Sequence, residues 1–203
     1  MEKKHVVWLL VLIFLISLGL RLFFAFQTPF FDSDHSYFNM RQVQTITEDG
    51  FPAYSDELSF GGRYLVFLPL FHYILAGFSL IFPLSFVAKI LPNLFASSII
   101  FIVYLIVQQI TKNKEISLLC SFVSAFIPIY FLNTMNAVTV HSLSIPLSFL
   151  VLYLFPQLKE GKLVYLFIIV FILSLLSSAI TIILVLSLVV YYFLTKIEKV
   201  TLE

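Results

Sequence analysis

The stretch FDSDHSYFNMRQVQTITEDGFPAYSDELSFGGR, residues 31–63, is the one long polar passage in the chain, and we call it the acidic segment. It holds six of the chain's eleven acidic residues against two arginines, which leaves a local net charge of −4. The acidic residues are Asp32, Asp34, Glu48, Asp49, Asp56 and Glu57. Because this charge lies on one polar segment between apolar stretches, we expect the chemistry of the protein there.

The composition outside the acidic segment indicates a membrane protein. Of 203 residues, 61% are hydrophobic and only 11% are charged, whereas a soluble domain carries roughly 25% charged residues. Apolar runs of about 20 residues between short charged connections are typical of a polytopic helical protein in a lipid bilayer. Cys120 is the only cysteine, so no disulfide forms within the chain. We expect an all-α fold and no nucleic-acid partner.

The apolar runs divide the whole chain, 1–203, into a single transmembrane module. We expect a first crossing at 6–26, the acidic loop at 27–63, an outer-face helix at 64–82, and crossings at 86–110, 116–132, 142–156, 163–177 and 180–195. The run 163–194 is too long for one crossing, and the polar residues from Ser177 to Thr181 are expected to divide it. The sequence thus predicts six crossings and one juxtamembrane or re-entrant helix.

Lysine pairs in the short connections set the orientation. These pairs are Lys3/Lys4, Lys112/Lys114, Lys159/Lys162 and Lys196/Lys199. Short basic connections favour the cytoplasmic side, and all four pairs lie there only if 64–82 does not cross; a seventh crossing breaks the pattern. We therefore expect a cell-membrane protein with a cytoplasmic N-terminus and an extracytoplasmic acidic segment. Residues 133–141, which we call the second loop, share that outer face, and Arg21 is expected to extend to the interface.

Local signals divide the acidic segment further. Asp34 or Ser36 is expected to cap a helix that runs to about Thr47, and Asp49-Gly50 is expected to end it. A further turn is expected to start at Ser55 or Asp56.

The acidic segment resembles the first external loop of GT-C superfamily membrane glycosyltransferases. The closest similarity is to archaeal single-subunit oligosaccharyltransferases and their uncharacterised relatives. The matching pieces are Asp32-Ser33-Asp34, Tyr37 to Arg41, Asp49-Gly50-Phe51-Pro52, Asp56, Gly61-Gly62-Arg63 and Pro69 to Tyr73. The resemblance implies a GT-C-like transmembrane module, and it agrees with an outer-face helix after the loop.

This resemblance implies transfer of a sugar or oligosaccharide from a polyprenyl-phosphate or diphosphate donor to a protein, lipid or glycan acceptor outside the cytoplasm. It gives Asp34, and next Asp32, the role of the catalytic carboxylate. It also implies Mg²⁺ or Mn²⁺, since hard oxygen ligands suit these ions, with Asp34, Asp32 and Asp56 as ligands. The expected substrate contacts are Tyr37, Arg41, Arg63 and His72.

Other interpretations of these residues stay open. Asp32 and Asp34 are also typical helix caps, Arg41 fits a solvated counter-charge, and His72 fits a packing role. The family's second acidic motif has no counterpart in the second loop, which carries no carboxylate. The chain is then an amino-terminal piece of a longer enzyme or a reduced relative. A non-catalytic membrane subunit and a lipid transporter are the alternatives, although a transporter is expected to carry more ionisable residues in its crossings.

Overall fold

The computed structural model of the chain describes residues 2–56, 62–65, 68–161 and 163–201. The regular secondary structure of these residues is helical apart from one short pair of strands, so the predicted all-α class is confirmed. The order is α1 (Lys3–Phe26), α2 (Asp34–Asp49), β1 (Ser55–Asp56), β2 (Arg63–Tyr64), α3 (Leu70–Ser79), α4 (Leu84–Ser97), α5 (Ile99–Thr111), α6 (Lys114–Ala125), α7 (Pro128–Met135), α8 (His141–Leu154), a 3₁₀-helix (Phe155–Glu160), α9 (Val164–Ser177) and α10 (Ile180–Thr201).

Four helical stretches in the described part of the chain are long and apolar enough to cross a membrane. They are Lys3–Phe26, Leu84–Thr111, His141–Leu158 and Ile180–Ile197. The pair α6 and α7, bent by 48° at its break, is a fifth if it counts as one span. Helix α9 has 14 residues, fewer than the roughly 20 that span a bilayer core. A multi-pass helical membrane protein is consistent with these lengths, and the sixth crossing stays a prediction.

Polar residues and prolines interrupt the apolar runs. Ser178 takes an extended conformation between α9 and α10, and the Thr181 hydroxyl donates to the Ser174 carbonyl at 2.7 Å. The break that was predicted between Ser177 and Thr181 is therefore confirmed. Pro128 begins α7, because a proline is tolerated at a helix start, where its missing N–H costs no hydrogen bond.

The acidic segment folds into helix α2 and a short β-ladder. Helix α2 ends at Gly50, whose φ of +80° suits glycine, as predicted. Its N-cap residue is Ser33, so the prediction of Asp34 or Ser36 as the cap was wrong; Asp34 already lies in the first turn.

The chain after α2 differs from the predicted turn and long helix. Ser55 and Asp56 pair antiparallel with Tyr64 and Arg63, which replaces the predicted turn with a strand. Helix α3 begins at Leu70, after Pro69, and not at Tyr64. Because Tyr64 belongs to the ladder, α3 is shorter than the helix that was predicted over 64–82.

A hydrophobic core lies under α2. Val43 and Ile46 of α2 pack with residues of α3, α4, α8 and the second loop. The other buried members are Phe31, Phe71, Leu75, Ala76, Val87, Ala88, Leu91, Val138 and Leu143. This core holds the acidic segment and the second loop against the same end of the helix bundle.

Candidate functional site

Helix α2 is amphipathic, and its periodicity decides which side chains reach the second loop. Its buried residues are Ser36, Asn39, Gln42, Val43 and Ile46, which recur at the spacing of three or four that defines one helical face. Asp34, His35 and Tyr37 lie on the exposed side. The polar members of the buried face are therefore available to hold neighbouring backbone.

Two of these polar residues bind the backbone of Val138 in the second loop. Asn39 Nδ2 donates to the Val138 carbonyl at 2.6 Å, and the Val138 N–H donates to Ser36 Oγ at 3.0 Å. Both backbone groups of a fully buried residue are thus satisfied by side chains of α2, which avoids the cost of burying them unpaired. The acidic segment and the second loop form one joined structure.

His72 extends this network to α3. Its side chain is 1% exposed, and its Nε2 lies 3.0 Å from Asn39 Oδ1. Because the amide oxygen only accepts, Nε2 carries the proton and donates. Burial lowers the pKa of the imidazole to about 4, with repulsion from His35 as the smaller cause. His72 lies in the buried packing, and its assignment as a substrate contact stays a prediction.

Asp32 is the candidate carboxylate that touches the second loop. Asn136 Nδ2 donates to Asp32 Oδ1 at 2.7 Å, and the Asp32 N–H donates to the Asn136 carbonyl at 3.2 Å. The Asp32 residue itself is exposed, whereas Asn136 is 3% exposed. Asp32 Oδ1 is therefore held by a buried side chain, while the Asp32 residue as a whole is exposed to solvent.

Asp34 lies two residues further on, in the first turn of α2. It is exposed, and its carboxylate makes no hydrogen bond or ion pair within the described part of the chain. A negative charge in the first turn is favourable because the N-terminal end of a helix carries a partial positive charge. Within the described part of the chain, the position of Asp34 is therefore set by helix α2 and by no neighbouring side chain.

The remaining predicted site residues have separate placements. The Tyr37 hydroxyl accepts the Phe31 N–H at 3.1 Å, so Tyr37 holds the turn between α1 and α2. Arg41 lies over the Phe38 ring, 5.7 Å from its centroid. Arg63 is exposed in β2. Asp56 pairs through its backbone with Arg63, and its side chain lies outside the described residues.

Two cations that are buried in the described part of the chain, Arg21 and Lys89, were not among the predicted site residues. Arg21 was expected at the interface, but it is 0% exposed; its Nη1 donates to Thr134 Oγ1 at 2.6 Å, and its guanidinium lies 4.5 Å from the centroid of the Phe131 ring. The expectation was wrong because α7 packs over this face of α1. A cation in an apolar run is the sequence signal that marks such a position.

Lys89 of α4 is the second buried cation. Its Nζ donates to the carbonyls of Ala25 and Thr28 at the end of α1. The last carbonyls of a helix have no partner within the helix, and a cation there also matches the negative end of the helix dipole. Lys89 therefore fixes the point where α1 turns into the acidic segment.

A separate groove lies at the other end of α8, away from the second loop. It encloses about 800 Å³ between α8, the 3₁₀-helix and α10. Phe155, Leu188, Tyr191 and Lys196 are among its lining residues. Because it adjoins the C-terminal ends of α8 and α10, it is not part of the carboxylate site.

Among the described residues no group of three His, Cys, Asp or Glu side chains lies close enough to hold a metal ion. No protein-family model and no curated protein matches the chain. The similarity to GT-C glycosyltransferases accordingly stays a prediction.

Proposed function

We propose that the chain is a membrane glycosyltransferase that moves a sugar or oligosaccharide from a polyprenyl-phosphate or diphosphate donor to a protein, lipid or glycan acceptor. The observation that supports the proposal best is the placement of Asp32 and Asp34. Both are exposed directly after a helix long enough to cross a membrane, and the second loop is fastened beside them. A lipid-borne donor and a water-borne acceptor can meet at such a position.

The proposed reaction is a displacement at the anomeric carbon. A bond forms between the acceptor heteroatom and the anomeric carbon, and the bond from that carbon to the phosphate oxygen breaks. The acceptor proton passes to an aspartate acting as general base, within hydrogen-bond reach of the acceptor. Asp34 or Asp32 takes this role, and both are open to a substrate.

The departing phosphate needs positive charge, which Arg41 and Arg63 are proposed to supply, because a guanidinium matches phosphate geometry. Tyr37 is proposed to line the same site. We also propose that Asp32 and Asp34 hold a Mg²⁺ or Mn²⁺ ion together with the substrate phosphates, since Mg²⁺ is often bound by one or two carboxylates and substrate phosphates. Such an ion would neutralise charge on the leaving phosphate.

The proposed location is the cell membrane, with the N-terminus in the cytoplasm and the acidic segment outside. The lysine pairs support this orientation. Six crossings are proposed, with α3 lying at the outer face. Its ten residues are about half the length that a crossing needs.

The test is transfer of glycan from a polyprenyl-diphosphate donor to an acceptor peptide, with Mg²⁺ or Mn²⁺ present. We expect Asp34→Ala and Asp32→Ala to lower the rate by at least tenfold. The matched control is Asp49→Ala, because Asp49 is an exposed carboxylate at the other end of the same helix. No transfer by the wild-type chain, or full activity in both variants, would contradict the proposal.

A second candidate is a non-catalytic membrane subunit or a degenerate relative. The second loop, in which Asn136 and the Val138 N–H bind the acidic segment, offers no carboxylate of its own, and this observation favours a reduced site. Binding of the donor lipid without transfer would support this candidate over the enzyme.

A further inference from the structure

Asn136 makes three hydrogen bonds to the short segment that precedes α2. Its Nδ2 donates to the Phe30 carbonyl at 3.0 Å and to Asp32 Oδ1 at 2.7 Å. Its own carbonyl accepts the Asp32 N–H at 3.2 Å. Both amide protons of this nearly buried side chain are used within three consecutive residues.

These contacts separate the two candidate carboxylates. Asp32 is tied to the second loop through both its backbone and its side chain. In the described part of the chain, the Asp34 carboxylate makes no such hydrogen bond. A carboxylate that accepts one fixed hydrogen bond loses rotational freedom, and its second oxygen then points in a defined direction.

The backbone on both sides of Asn136 is also held by side chains. Asn93 Nδ2 donates to the carbonyl of Met135, directly before Asn136. On the far side, Val138 is held by Ser36 and Asn39. The backbone of Asn136 is therefore held from both sides, so its side-chain amide can keep Asp32 in one orientation.

We infer that Asn136 is a positioning residue for Asp32, and that Asp32, not Asp34, is the carboxylate that acts on the acceptor. This inference rests on the proposed function. Asn136 contacts no substrate in this scheme; it acts by holding Asp32 Oδ1 so that Oδ2 meets the acceptor. The second loop has no carboxylate in place of the family's second acidic motif, and its Asn136 amide instead orients the carboxylate of Asp32.

The first test is a kinetic comparison of Asn136→Ala with the wild-type chain. We expect kcat to fall by roughly 10- to 100-fold, the usual loss when an orienting partner is removed. KM for the donor lipid is expected to change little. Asn133→Ala is the matched control, since Asn133 is an exposed amide in the last turn of α7, three residues before Asn136, and it is expected to leave both constants unchanged.

The double variant Asp32→Ala with Asn136→Ala decides whether Asn136 acts through Asp32. We expect it to be no slower than Asp32→Ala alone, whereas Asn136→Ala is expected to slow the Asp34→Ala variant further. Equal additional loss in both backgrounds would overturn the inference, because it would show a general structural effect. Unchanged kcat in Asn136→Ala would also overturn it.

Two further measurements cover the cases in which Asn136→Ala does not fold or the wild-type chain transfers no glycan. If Asn136→Ala does not fold, Asn136→Leu keeps most of the side-chain volume and carries no hydrogen-bond donor, and it is expected to show the same kcat loss; wild-type kcat would overturn the inference. If the wild-type chain transfers no glycan, the proposed function fails, and with it the kinetic role of Asn136. The contact itself is then tested by thermal unfolding, where non-additive effects of Asp32→Ala and Asn136→Ala show coupling and additive effects exclude it.

Discussion

His72 Nε2 and Asn39 Oδ1 lie 3.0 Å apart in a buried hydrogen bond that joins α3 to α2. The same Asn39 side chain donates to the Val138 carbonyl. One amide thus links three parts of the chain that are far apart in sequence. This link acts together with the Ser36 and Asp32 contacts to hold the acidic segment against the second loop.

Asn39→Ala is expected to destabilise the protein by about 1–3 kcal/mol, because the buried Val138 carbonyl loses its side-chain donor. The same change removes the hydrogen bond between Asn39 Oδ1 and His72 Nε2. The measurement is thermal unfolding in detergent, with Gln44→Ala as the control because Gln44 is exposed on the same helix. Equal melting temperatures for the two variants would refute the role of Asn39.

The low pKa of His72 predicts a pH dependence of stability. Its pKa falls from 6.5 to about 4 in the folded protein, so below pH 6.5 the unfolded state binds the proton more readily. Stability is therefore complete above about pH 6.5 and is lost as the pH falls toward 4, by about 3 kcal/mol at most. Unfolding should be followed between pH 4 and 7.

The matched variant is His72→Gln, whose amide nitrogen can replace Nε2 as a donor and does not titrate. We expect it to unfold with a shallower pH dependence than the wild-type chain over the same range. Identical slopes would show that another group controls the acid sensitivity.

Lys89→Met is expected to loosen the C-terminal end of α1, because the carbonyls of Ala25 and Thr28 lose their donor while the side-chain length is kept. Hydrogen–deuterium exchange should rise in residues 24–30. Lys112→Met is the control, since Lys112 is exposed in the turn after α5. Unchanged exchange in Lys89→Met would argue against a capping role.

Arg21 offers a test of how much a buried cation contributes to the stability of the folded protein. Within the described part of the chain no carboxylate pairs with it, and the Thr134 hydroxyl also donates to the Tyr130 carbonyl at 2.7 Å. Arg21→Met therefore leaves no buried donor unpaired, and it is expected to change stability by less than about 1 kcal/mol. Arg21→Ala, which opens a cavity, is expected to cost about 2–5 kcal/mol in thermal unfolding. A large loss in Arg21→Met would show that the charge itself is needed.

The orientation is tested by labelling single cysteines with an impermeant maleimide in intact cells, in a Cys120→Ser background. Gln44→Cys is expected to react from outside, and Lys112→Cys only after the membrane is opened. Both positions are exposed. External labelling at Lys112→Cys would restore the arrangement with seven crossings.

Several features of the fold follow from local sequence. Gly50 ends α2 because a left-handed residue suits glycine, and Ser177 to Thr181 interrupt an apolar run with side chains that bind backbone. The start of α3 was misjudged, since apolar content alone does not show that Tyr64 pairs with Ser55 in a ladder. Strand pairing depends on a partner distant in sequence, which a single apolar window does not contain.

The amino-acid sequence by itself determined the class of the protein, the position of its acidic segment and most of its helix ends, because hydrophobic periodicity, glycine and proline act over a few residues. Only the tertiary structure decided that Arg21 is buried, that Lys89 caps α1, and that Asp32 is held by Asn136 while Asp34 is not. The side chains of Asp32 and Asn136 meet across 104 residues, and a contact between residues so far apart is set by how the helices pack and not by local propensity.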